Sequence, residues 1–129
     1  MSIESKSMEL RGQGFNCAQS VFAACSDELG MEKELALAVA GGLGGGVRCG
    51  EICGALLGAA MAISKLHPYL VGDDQAARAE VSAAIEKLSE DFKAEFGHVR
   101  CQDLGTHGPD CDPQIAWCAR AVQKAIENK

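Results

Sequence analysis

The chain has no CxxC pair anywhere, although seven of its 129 residues are cysteine. That absence excludes the paired knuckles of a zinc ribbon, the active site of a thioredoxin-type oxidoreductase and, with no CxxCH, covalent c-type haem attachment. Standard ferredoxin spacings are missing too, so a cluster would have to be assembled from separate segments. Aromatic residues are scarce, one Trp, one Tyr and four Phe, and a core must therefore be built from aliphatics, Ala, Cys and Met. The longest uncharged apolar run, Ile52 to Ile63, falls well short of the roughly 20 residues that span a bilayer, so no membrane insertion is expected. There is no basic stripe, and a net charge of −6 argues against nucleic acid, whose binding needs clustered Lys and Arg. No Ser-His-Asp order and no paired-carboxylate pattern is present, and the glycine run at 41–46 lacks the Gly-Lys-Ser/Thr that ends a phosphate loop.

The N-terminal MSIESKSMELRGQG is polar and mixed in charge, without the apolar stretch or cleavage site of an export signal, and a cytoplasmic protein is expected. In a reducing compartment persistent disulfides are uncommon, and thiols are more often catalytic, redox-sensing or metal-bound. At 47% apolar content the chain fits one domain, 1–129, that buries a core without disulfide staples. Cys17, Cys25, Cys49, Cys53, Cys101, Cys111 and Cys118 are odd in number and cannot all pair within one chain.

Periodicity predicts an all-α fold of about five helices. A short helical possibility covers residues 3–11, and Asn16 then reads as an N-cap with Gln19 three residues on. A helix over about 17–29 follows, with Ala18, Val21, Phe22, Cys25 and Leu29 on one face and Gly30 as its stop. Residues 31–40 form a shorter helix, ended by GGLGGG. From about 50 to 66 the chain is apolar on every side, the pattern of a buried central helix, and Gly54 and Gly58 lie four apart where another backbone can approach. Asp73 or Asp74 caps a helix over 74–96 with Val81, Ile85, Leu88, Phe92 and Phe96 inward and Gly97 as its stop. A turn-rich stretch precedes a last helix that begins with Asp112 and Pro113 and buries Ile115, Cys118, Val122 and Ile126.

Cys17 and Cys53 fall near helix N-termini, where unpaired N–H groups and the helix dipole favour a thiolate, and Cys53 is the leading candidate for a reactive or ligating sulfur. Cys49 stands four residues before Cys53, a spacing that puts two sulfurs on one face of a helix start, within reach of one metal or a strained disulfide. Cys25, on an apolar face, reads as core filling, and Cys111, between Asp110 and Asp112, as an accessible thiol of open role. His67 reads as a surface residue at a helix end, while His98 and His107 flank Cys101 and are solvated side chains before they are ligands.

The segments NCAQSVFAA, GGLGGGVRCGEICGALLGAA, EFGHVRCQDLG and CARAV, in this order over residues 14–122, resemble the bacterial C_GCAxxG_C_C family, to which redox activity is ascribed. Its Cys-Gly-Ala-x-x-Gly motif is here Cys53-Gly54-Ala55-Leu56-Leu57-Gly58, and its four cysteines fall on Cys17, Cys53, Cys101 and Cys118. The family is similar to the iron-sulfur portion of split-Soret-type cytochromes, which implies electron transfer. Cys25, Cys49 and Cys111 lie outside the four-cysteine pattern. The resemblance implies that Cys17, Cys53, Cys101 and Cys118 meet in one site, with Cys49 as a fifth candidate metal ligand. Three functions stay open: dithiol/disulfide exchange or an iron-sulfur cluster passing electrons to a redox partner protein; a thiolate carrier or sensor of zinc, copper or another soft metal; or cysteines that only pack a bundle. Assembly into a homo-oligomer is also open.

Overall fold

Side-chain caps at Ser2, Asn16 and Asp74 mark where three of the helices begin. A computed structural model describes residues 1–105 and 111–129, so His107 lies outside the described residues. Among them the helices are α1 (Ile3–Gly12), α2 (Cys17–Ala24), α3 (Ser26–Leu29), α4 (Lys33–Ala40), α5 (Gly54–Leu66), α6 (Gln75–Phe96), α7 (Cys101–Leu104) and α8 (Asp112–Glu127). The one extended pairing there is an isolated antiparallel bridge between Ile52 and Arg100. The all-α expectation holds, with eight α-helices among the described residues where about five helices were expected, because the single turns α3 and α7 are too short for periodicity to separate.

The helical possibility over residues 3–11 is α1, a full helix capped by the Ser2 hydroxyl, which accepts from the Ser5 N–H; it buries Ile3, Ser7 and Leu10. A short piece arises where the expected 17–29 helix breaks at Cys25, which ends α2 and starts the single turn α3 before Gly30 takes a left-handed conformation. The cap of α2 forms as the sequence proposes: the Gln19 N–H donates to Asn16 Oδ1 at 2.9 Å and the Asn16 N–H donates to Gln19 Oε1 at 3.2 Å. Such a box satisfies two orphan donors and is worth about 1 kcal/mol. Asp74, rather than Asp73, caps α6, and Gly97 ends it.

Helix α5 occupies the middle, packed by α2, α6 and α8; α1 and α4 cover α2 in turn, and α1 lies against α8. Between Cys53 and Ser64 no residue of the central segment is exposed. Its small residues explain how that many neighbours fit. A Cβ added at Gly58 would stand 2.8 Å from Ala18 O and 3.2 Å from Val21 Cβ, so α2 rests directly on the α5 backbone. On the far side α6 is joined through Phe92, Phe96 and Trp117 of α8, whose rings meet at tilted and edge-on angles.

Candidate functional site

The site is built where the start of α5 meets the start of α2. Asn16, besides capping α2, donates from Nδ2 to Gly41 O at 3.0 Å, and Gln19 donates from Nε2 to Leu37 O at 3.0 Å. The glycine segment after α4 therefore folds over the α2 cap, so closely that a Cβ at Gly44 would come within 2.6 Å of Asn16 Cγ. The chain then makes a left-handed turn through Gly45, Gly46, Val47 and Arg48, whose φ values run from 58° to 65°. For a β-branched residue such as Val47 this conformation is strained by about 1–3 kcal/mol.

This turn decides the register of everything that follows. The expected helix start near residue 50 is not there: residues 51–53 run extended beside 99–101, with the Cys53 N–H donating to Val99 O at 2.8 Å and the Cys101 N–H to Glu51 O at 2.6 Å. The Arg100 guanidinium locks the pair, Nε to Glu51 Oε2 and Nη2 to Glu51 Oε1, each at 3.1 Å. Cys53 is consequently the N-cap of α5 rather than a first-turn residue. The bridge between Ile52 and Arg100, which no local pattern announces across 48 positions, carries Cys101 to the start of α5.

Gly54 completes the junction. A Cβ there would collide with Cys17 Sγ and stand 3.0 Å from Leu43 O, so the bare Cα is what lets the Cys17 thiol lie against the central helix. Cys118 comes in from α8, wholly buried. The four thiols feel one another: Cys53 interacts with Cys17, Cys101 with Cys17, and Cys118 with both Cys53 and Cys17. All four are buried.

Burial outweighs the helix end in the electrostatics of Cys53. Desolvation pushes Cys53 up from 9.0 to about 11, against the opposing hydrogen bonds of the Leu56 and Ala55 backbone. Desolvation likewise raises Cys101, and raises Cys118 well above the ordinary thiol range. At Cys53 the two effects oppose each other, and a buried sulfur loses more by leaving water than two N–H groups return. Among the described residues no group of three or more His, Cys, Asp or Glu is placed to hold a metal ion.

The other candidates fall elsewhere. Cys49 is exposed, with φ −135°, and its thiol donates to Gly46 O at 3.4 Å. It shares no helical face with Cys53, because the left-handed turn and the extended segment intervene. Cys25 is core, its thiol donating to Val21 O at 3.2 Å. Cys111 is half-buried against the core, and its thiol interacts with that of Cys53, a link the sequence reading missed. His98 is exposed, and His67 pairs through Nδ1 with Glu80 Oε1 at 3.0 Å.

The raised thiols set a pH dependence. Above pH 9 an unfolded chain ionises its cysteines while the folded one keeps the protons of Cys53, at about 11, and Cys25, at about 12. The unfolded state then binds fewer protons, so stability falls as pH rises. Urea unfolding under reducing conditions is expected to give a free energy that is level below pH 8 and declines between 9 and 11. The slope per buried thiol is about 1.4 kcal/mol per pH unit. A level profile to pH 11 would contradict the burial account.

Comparison with curated proteins and with solved structures finds no match. Residues 15–128 match the family described as "Putative redox-active protein (C_GCAxxG_C_C)", over a span that includes all four gathered thiols and the Cys53–Gly58 motif. With nearly its whole length inside that match, the chain belongs to the C_GCAxxG_C_C family.

Proposed function

We propose that the protein exchanges dithiol and disulfide states at the buried thiol cluster, with Cys17 and Cys53 as the working pair and a redox protein bearing a disulfide as its partner. One observation carries this reading: Cys17 Sγ lies in the gap that Gly54 leaves beside Cys53, and Cys17 is the thiol with which Cys53, Cys101 and Cys118 each interact. In the reaction two S–H bonds of the cluster give one S–S bond. The two electrons and two protons reduce the partner's disulfide to two thiols. The product is uncharged, which suits a pocket where desolvation already opposes thiolates.

Four thiols are suitable chemistry for an iron-sulfur cluster or another soft metal. The arrangement fits one less well. A thiolate centre would bring negative charge to Cys53, Cys101 and Cys118, where burial opposes ionisation, and Arg100, next in the chain to Cys101, is committed to Glu51 and Asp103. The chemistry proposed here runs on sulfur.

The experiment is a thiol count. Protein purified without oxygen, then equilibrated in glutathione buffers of rising oxidation and quenched in acid, is expected to lose two thiols in one step, with peptide mapping joining Cys17 to Cys53. Serine at either position is expected to abolish the step. A cluster that keeps all its thiols until the protein unfolds, or a sample carrying stoichiometric iron and sulfide bound by these cysteines, would refute the proposal.

A further inference from the structure

The thiols this function needs are closed to solvent, none of the four being more than 6% exposed. Exchange passes through a mixed disulfide, formed by direct attack of one sulfur on another, so a partner's disulfide requires a sulfur it can touch. A thiol at the rim must make the first bond. Two cysteines outside the family's four are less buried. Cys49 is one, but none of the interactions that bear on Cys53, Cys101 or Cys118 involves it.

Cys111 differs on each count that matters. It is half-buried, packs against the core, and its thiol acts on that of Cys53. It stands at the N-cap of α8, and the spacing of Cys111, Gln114 and Cys118, three and then four residues, sets them along one side of that helix. Gln114 is 5% exposed, yet its Oε1 has no hydrogen-bond donor among the described residues, which leaves an acceptor for a thiol proton on the same side.

We propose that Cys111 is the entry thiol of a relay, forming the mixed disulfide with the partner at the surface and handing the bond to Cys53 inside. The relay rests on the exchange function argued above. In the first step the Cys111 sulfur attacks one sulfur of the partner's disulfide; the partner's other sulfur leaves and takes the Cys111 proton. Cys53 then attacks Cys111 Sγ, and the bond between Cys111 and the partner breaks. The partner's second sulfur departs as a thiol with the Cys53 proton. Finally Cys17 attacks Cys53, its proton passes to Cys111, and the disulfide rests between Cys17 and Cys53. In sum, two electrons and two protons move from the inner pair to the partner, and Cys111 is restored.

Glutathione disulfide serves as the probe, with full-length reduced protein. Cys111→Ser is expected to slow disulfide formation between Cys17 and Cys53 at least tenfold while the final number of thiols lost stays the same. Cys53→Ser is expected to accumulate glutathione on Cys111, located by peptide mass spectrometry. Cys111→Ala, checked for a wild-type urea transition, repeats the rate test should serine disturb the fold. A wild-type rate in either Cys111 variant, or accumulation of the mixed disulfide on Cys49, would overturn the relay and leave the inner exchange standing. Wild-type protein whose inner thiols are never oxidised would overturn both.

Discussion

A Phe92→Ala variant is expected to unfold about 3–5 kcal/mol more easily than the parent protein, the cost of removing a large buried ring and leaving a cavity. Phe92 is wholly buried in α6, and its ring centroid lies 4.8 Å from that of Phe96 and 5.6 Å from that of Trp117 on α8. With so few aromatic residues in the chain, these three rings are the aromatic contact between α6 and α8. Edge-on and tilted ring pairs add about 0.5–1.5 kcal/mol beyond the area they bury. Against a total stability of about 5–15 kcal/mol the loss is a large fraction. Guanidinium unfolding should show it as a lower midpoint with an unchanged slope. A change under about 1 kcal/mol would mean that α6 is held to α8 by something else.

The second large effect is expected at the site rather than in stability. Gly54→Ala adds a methyl where Cys17 Sγ, Leu43 O and Gly44 Cα already crowd the position. Of these the thiol moves most easily, because the other two are backbone atoms tied to the α2 cap through the hydrogen bond of Asn16 to Gly41. The added side chain favours helix by up to about 1 kcal/mol and overpacks by about 1–3 kcal/mol, so the net loss of stability is modest. Displacing the sulfur is not modest in its effect. A disulfide forms only in a narrow geometry, and formation of the bond between Cys17 and Cys53 is expected to slow at least tenfold while the protein stays folded. Gly58→Ala provides the contrast. Its methyl meets Ala18 O at 2.8 Å, an atom within a buried helix, and the penalty should appear in the urea transition first. Exchange at the wild-type rate in Gly54→Ala would show that Cys17 does not need this gap.

Where structure follows from neighbours in the chain, the sequence reads well. Asn16 with Gln19, Gly30, Asp74, Gly97 and Pro113 each mark a helix end through chemistry contained within a few residues. The inner stripe of α8 and the enclosure of α5 follow from periodicity alone. The start of α5 does not, because apolar residues from 50 onward suit a helix equally well. What stops it is the left-handed turn at Gly45–Arg48 and the bridge from Ile52 to Arg100, a pairing between distant segments. The same long-range bridge displaces Cys49 from the face assigned to it. At the site, the family resemblance names Cys17, Cys53, Cys101 and Cys118 but carries nothing of their electrostatics, since desolvation of Cys53 depends on how many helices close over it. The link from Cys111 to Cys53 is invisible for a related reason, since it joins the start of α8 to the start of α5.

The break between α2 and α3 gives Cys25 a use that has nothing to do with electron traffic. Its sulfur is fully enclosed, bonded to Val21 O, and held protonated by burial to about 12. A maleimide can label it only in molecules that have opened through the centre of the bundle, whereas Cys49 on the surface reacts from the native state. The rate at which mass is added at position 25 thus clocks whole-molecule opening, a native sulfur serving as a stopwatch with no engineered probe.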